Sequence, residues 1–170
     1  MKKSLLAYSS VDGQTMHICQ KIKEFSQHSD IDVLPIEKIE DISKYDSVVI
    51  GASIRYGNYR KEVFNFINRN IKNLELKNNG FFSVNAVARK PEKNSAKTNP
   101  YVSKFLKKTS WTPEKIGVFA GKIDYPSYKF FDKYAIKFIM KITGGPTDTS
   151  GTYEFTKWKD VETFTRSLNL

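Results

Sequence analysis

The chain has 170 residues and a mass of 19.6 kDa, and 39% of it is hydrophobic and 27% charged. That is enough for one packed core without a disulfide or metal staple, and the single Cys19 fits a reducing compartment. The net charge of +10 is concentrated: residues 86–141 carry 13 Lys/Arg against 4 Asp/Glu, while the remaining 114 residues carry 15 against 14. A nearly neutral domain with one basic region should meet an anionic surface or ligand there, whether nucleic acid, anionic lipid or a carboxylated substrate. Apolar runs such as residues 48–50 and 81–82 fall far short of the roughly 20 residues of a membrane-spanning helix. Ser9, Ser10 and Asp12 interrupt the N-terminal apolar stretch too early for a signal peptide, so a cytoplasmic protein is the expectation.

In chain order, residues 4–9 form a short apolar run ending in small polar residues, and 14–27 place Met16, Ile18, Cys19, Ile22 and Phe25 near helical spacing. Residues 31–36 alternate as a second strand. Residues 46–53 (DSVVIGAS) are a continuous apolar run suited to a buried parallel strand. A helix follows at 60–71 through Val63, Phe64, Ile67 and Ile71, and two further strands are predicted at 80–88 and 115–121. A closing helix at 156–170 carries Trp158, Val161, Phe164 and Leu168. Five strands alternating with helices, too apolar to face water, predict a doubly wound parallel α/β sheet as one domain, residues 1–170.

Two stretches exceed what such a sheet needs. Residues 89–114 are long and basic, with a short helical pattern at 101–108. Residues 128–142 (YKFFDKYAIKFIMKI) repeat Lys129, Lys133, Lys137 and Lys141 every four residues, with Phe130, Phe131, Tyr134, Ala135, Phe138, Ile139 and Ile142 on the opposite side. This is a basic amphipathic helix, ended by Gly144-Gly145-Pro146. Its apolar face suits a membrane interface, the protein's own core, a partner or a second copy.

Ligands of doubly wound sheets bind beyond the carboxyl ends of the strands. The first such loop, Ser9, Ser10, Val11, Asp12, Gly13, Gln14 and Thr15, offers hydroxyls, a glycine for a tight turn and a helix N-terminus that attracts phosphate. It is neither a G-x-G-x-x-G nor a G-x-x-x-x-G-K loop, and it serves equally as a plain N-cap cluster. His17 and His28, eleven residues apart, make no metal set with one cysteine. Cys19, Trp111 and Trp158 read as packing residues.

The loop resembles the phosphate loop of the flavodoxins, S/T-x-T-G-x-T, through Ser10, Gly13 and Thr15, with Asp12 in place of the usual threonine. A fuller resemblance, spanning the chain in order, is to the flavodoxin-type, menaquinone-dependent protoporphyrinogen oxidases. It is carried by DGQT at 12–15, VVIGASIRYGNY at 48–59, FFSVNAVARKPEKNSAKTNPY at 81–101, YPSYKFFDKYAIKFIMKITGGPTDT at 125–149 and the Trp158 segment. The resemblance implies a flavodoxin-like sheet of order 2-1-3-4-5 with a basic insertion, and FMN as cofactor. The phosphate would lie on Ser9, Ser10, Asp12, Gly13, Gln14 and Thr15. The flavin ring would lie between Ser53, Ile54, Arg55, Tyr56 and Gly57 on one side and Ser83, Val84, Asn85 and Ala86 on the other. Tyr56 or Tyr59 would stack on it.

It further implies oxidation of protoporphyrinogen IX in haem biosynthesis, with electrons passed to membrane menaquinone. No side chain is nominated as acid or base, because the flavin carries the redox chemistry. Arg55, Arg89 and Lys90, with Lys93 nearby, are the candidates for pairing the substrate's propionates. Lys129, Lys133, Lys137 and Lys141 would draw the amphipathic helix to anionic headgroups at the inner membrane face. Two other classes compete. A flavodoxin-like electron carrier without its own substrate usually needs an acidic docking face, which the basic segment opposes. A nucleic-acid-binding domain would use the lysines on phosphates, but no recognised motif accompanies them, and nucleic acid is not an expected partner; a homo-oligomer stays open.

Overall fold

The computed structural model describes residues 2–27, 30–168 and 170. Strands β1 (Ser4–Ser9), β2 (Ile31–Pro35), β3 (Ser47–Ser53), β4 (Asn78–Val84) and β5 (Lys115–Phe119) form one sheet in the order β2-β1-β3-β4-β5. Every neighbouring pair is parallel. This is the 2-1-3-4-5 order the resemblance implies.

Successive strand side chains leave on opposite faces, and both faces are buried here. Leu5, Val48 and Phe81 belong to one core, with Val63, Phe66, Ile67 and Leu74 of α2 (Lys61–Glu75) and Phe105 of α3 (Pro100–Lys108). Leu6, Val49 and Phe82 belong to the other, with Ile18, Cys19 and Ile22 of α1 (Gln14–Ser26). The Phe81 and Phe105 rings stack with centroids 4.0 Å apart.

Several ends differ from the sequence expectation, each for a local reason. β2 stops at Pro35, before a 3₁₀ turn over Ile36–Lys38. β4 stops at Val84 because the Asn85 side chain accepts from the Ala88 amide and rolls Ala86–Arg89 into a 3₁₀ turn. The basic stretch 89–114 is the crossover between β4 and β5. Within it the Asn99 side chain accepts from the amides of Tyr101 and Val102 and starts α3 at Pro100.

The true excursion lies between β6 (Lys122–Asp124) and β7 (Thr152–Glu154), an antiparallel pair of three-residue strands too short and too charged to show a pattern. It carries α4 (Phe130–Thr143), and α5 (Trp158–Ser167) then returns to the sheet with Val161 and Phe164 buried. The basic amphipathic helix does not bury its aromatic face. Phe131 is 84% exposed, Phe130 68%, Ile142 67% and Phe138 64%. Met140 packs inward instead, with Ile136, Ile123, Tyr125 and Phe155. At 3.6 residues per turn, positions 136 and 140 lie on a different side from 130, 134 and 138. The lysines therefore border the exposed aromatic face, with Lys133 and Lys137 half-buried.

Gly51 pairs with Phe82 across β3 and β4, and a Cβ there would lie 2.2 Å from the Phe82 ring. Gly51→Ala is expected to lose about 1–3 kcal/mol by overpacking, read from the urea midpoint; an unchanged midpoint would show that the ring has room to move.

Candidate cofactor pocket at the ends of the strands

Because all five strands run the same way, the loops after β1, β3, β4 and β5 meet at one edge of the sheet. The loop after β1 turns through Gly13 at φ 84, a left-handed conformation that favours glycine. Its amide donates to Ser10 Oγ at 2.9 Å. No side chain caps α1, and its first turn holds no acidic residue, so its amides face the loop with the positive end of the dipole. Thr15 is fully buried, and its hydroxyl has no hydrogen-bond partner in the protein. A buried orphan hydroxyl beside an uncapped helix N-terminus fits a phosphate monoester.

Asp12 does not oppose that anion directly. Its Oδ2 accepts from Arg55 Nη1 at 2.9 Å, and burial pushes its carboxyl up against the pull of Arg55. Arg55 sits in the turn after β3, where Arg55 and Asn58 exchange backbone hydrogen bonds around Tyr56 (φ 49) and Gly57 (φ 75). Two consecutive left-handed residues define a type I′ turn, and a half-exposed tyrosine held there is a strained residue at a pocket rim. The Tyr56 hydroxyl donates to Asp132 of α4.

The expectation that Tyr59 stacks on a ligand does not hold. Tyr59 is buried in the core, its ring edge-on to Phe81 and Phe105, and its hydroxyl donates to Ser83 Oγ at 2.7 Å. Asn85 Nδ2 donates to that same Ser83 oxygen at 2.8 Å, and Asn85 Oδ1 accepts from Asn99 Nδ2 at 3.1 Å. This buried chain fixes the loop after β4 from beneath.

The loops line a cleft that is open at its mouth and mostly apolar, with a few polar groups converging on it. Of the residues singled out in the sequence, Ser10, Asp12, Gln14, Thr15, Ser53, Ile54, Arg55, Tyr56, Gly57, Val84, Asn85 and Ala86 line it. Ser9 and Ser83 are buried and outside its lining, and Gly13 lines an adjoining cavity with His17 and Lys122. Arg89 and Lys90 are outside the lining. His17 packs against the Trp158 ring at 5.0 Å, while His28 falls outside the described residues. Cys19 is buried, and burial pushes its thiol up.

The sequence reading missed the roof. Ile136, Ile139 and Met140 of α4 line the cleft, as do Lys122 and Ile123 of β6, Tyr128 of the excursion and Phe155 just after β7. The signal available was the inward spacing of Ile136 and Met140, obscured by the stronger aromatic stripe. Arg55 Nη2 lies 3.0 Å from Asp132 Oδ2 at one end of α4. At the other, Arg89 Nη2 donates to the Thr143 carbonyl at 2.8 Å and its hydroxyl at 3.0 Å, while Nη1 donates to the Ala86 carbonyl at 2.8 Å.

A flavodoxin domain model matches residues 5–150. A curated protein of Escherichia coli K12, protoporphyrinogen IX dehydrogenase (quinone), is 41% identical over 172 residues, covering 98% of this chain and 94% of that one. A Leishmania major protein of the same name is 41% identical over 167 residues, covering 95% of this chain and 72% of its own. Among solved structures, a short-chain flavodoxin associated with a non-canonical PDU bacterial microcompartment superposes with a TM-score of 0.54 at 14% identity, covering 99% of this chain and 97% of that one. At that identity the likeness concerns the fold.

Thr15→Val keeps the side-chain volume and removes a buried hydroxyl that bonds nothing within the protein. The unfolding free energy of the ligand-free protein, read from the urea midpoint, is expected to stay level or rise by up to about 1 kcal/mol. A fall of that size would mean the hydroxyl has an internal partner.

Proposed function

Because this chain belongs to the flavodoxin domain family, and within it to the quinone-dependent protoporphyrinogen IX dehydrogenases, we propose that it uses FMN to oxidise protoporphyrinogen IX and passes the electrons to menaquinone. The observation that carries the reading is the orphaned Thr15 hydroxyl at the uncapped start of α1, beneath a cleft with an apolar roof.

Ser10, Gln14 and Thr15, with the first amides of α1, would hold the FMN phosphate. The turn at Ser53–Gly57 and the loop at Val84–Ala86 would flank its ring. FMN supplies two-electron redox chemistry when bound, and the protein supplies position and a water-poor setting. The pinned Asn85 keeps the β4 loop from collapsing into the cleft, since its side-chain bonds are made to Ser83, Ala88 and Asn99. Ile136, Ile139 and Met140 offer an apolar surface to a macrocycle and exclude water above the ring. Lys90, half-buried, is the candidate for a substrate carboxylate.

A lipid-soluble acceptor requires access to a bilayer, and no helix among the described residues is long and apolar enough to cross one. The exposed Phe130, Phe131, Tyr134, Phe138 and Ile142 of α4 support peripheral contact with the inner face of the cell membrane, apolar face down. Lys129, Lys133, Lys137 and Lys141 would meet anionic headgroups, each contributing about 1 kcal/mol near such a surface.

Anaerobic mixing of the FMN-loaded protein with protoporphyrinogen IX should bleach the flavin absorbance as porphyrin fluorescence grows, and menaquinone should restore it. Flavin that stays oxidised would overturn the substrate assignment. Thr15→Val should weaken FMN binding about tenfold, the cost of one hydrogen bond to a charged group.

For the membrane face, the triple variant Lys133→Gln, Lys137→Gln, Lys141→Gln should lose about 3 kcal/mol of affinity for phosphatidylserine vesicles, roughly a hundredfold. Equal vesicle binding by the variant, or a dimer that hides the face in both proteins, would sink the membrane assignment.

A further inference from the structure

The excursion helix α4 covers the cleft with little of its own surface anchored. Met140 is its one buried residue among those described, whereas α1 buries Thr15, Ile18, Cys19 and Ile22. What holds α4 besides that small cluster is polar and sits at its two ends. Asp132, in the first turn, accepts from Tyr56 and pairs with Arg55, which also grips Asp12 of the phosphate loop. Thr143, at the last turn, accepts twice from Arg89, whose other arm holds Ala86 of the β4 loop. Asp132 and Thr143 are 11 residues apart, about 16 Å along the axis.

We propose that Arg55 and Arg89 are positioning residues, two pins that clamp α4 by its ends as the roof of the pocket, and not receptors for the carboxylates of a substrate. The charges favour this. Arg55 lies between two carboxylates, so the trio already carries a net negative charge and repels a third carboxylate. Arg89 spends both Nη atoms on carbonyl and hydroxyl oxygens, which leaves no Nη free for a carboxylate. Each pin also joins α4 to a loop that lines the cleft, so roof and floor are set by the same side chains. The proposal leans on the FMN and porphyrinogen reading only for what lies under the roof.

The two roles predict opposite results for variants that leave both arginines in place. Asp132→Asn removes one carboxylate from Arg55, and Thr143→Val removes a hydroxyl from Arg89. If the arginines are pins, amide exchange in α4 of the ligand-free protein should quicken about tenfold in Asp132→Asn, in line with loss of one charge-assisted bond. Exchange in β3 and β4 should stay unchanged. Thr143→Val should quicken the last turn of α4. In the FMN-loaded protein, Arg89→Met should raise KM by the same factor for protoporphyrinogen and for its neutral dimethyl ester.

If the arginines are receptors, Asp132→Asn should leave α4 exchange unaltered, and Arg89→Met should raise KM for the dicarboxylate alone. Either of those results overturns the proposal. The exchange arm needs no flavin, so a protein that takes up no FMN would defeat the functional reading while still judging the clamp.

Discussion

Parallel pairing of five strands is the constraint from which the rest follows. Parallel neighbours cannot be joined by a tight turn, so each connection must cross the sheet, and the crossing helices bury both faces. That is why Leu5 and Leu6, Val48 and Val49, and Phe81 and Phe82 are all buried although consecutive residues point opposite ways. The same constraint sends the chain off every strand at one edge, where the loops after β1, β3 and β4 converge on a cleft that none of them defines alone.

Around that edge, polar groups that would destabilise a core are placed where the cleft needs them. The buried Thr15 hydroxyl, with no partner in the protein, costs stability in the free protein. Below the β4 loop the opposite holds: Tyr59, Ser83, Asn85 and Asn99 satisfy one another and leave a rigid floor. Asp12 stands between the two cases. Its carboxylate is partly buried at the rim of the cleft, and Arg55 takes it.

The excursion between β6 and β7 adds what the sheet lacks. Its helix presents Ile136 and Met140 to the cleft and Phe130, Phe131 and Phe138 to the outside, so one short element is at once a roof and an exposed apolar surface. A helix that divides its apolar residues in this way gains little from burial, and its seat depends on hydrogen bonds and charge at its ends.

The sequence by itself determined the sheet and the glycine turn after β1, because their signals are local. Apolar runs such as 48–50 can only be buried, and Gly13 between hydroxyl residues and a helical pattern marks a turn into a helix N-terminus. It also determined the basic amphipathic helix, expected at 128–142 and found at Phe130–Thr143. Tertiary structure decided where those signals point. Tyr56 and Tyr59 read alike in the chain, yet one stands at the rim and the other lies in the core, because a type I′ turn between Arg55 and Asn58 reverses the backbone. Arg55 and Arg89 read as free cations, but their partners Asp132 and Thr143 lie far along the chain. The three-residue strands that bring those partners back are held by pairing, which no periodicity within either segment records.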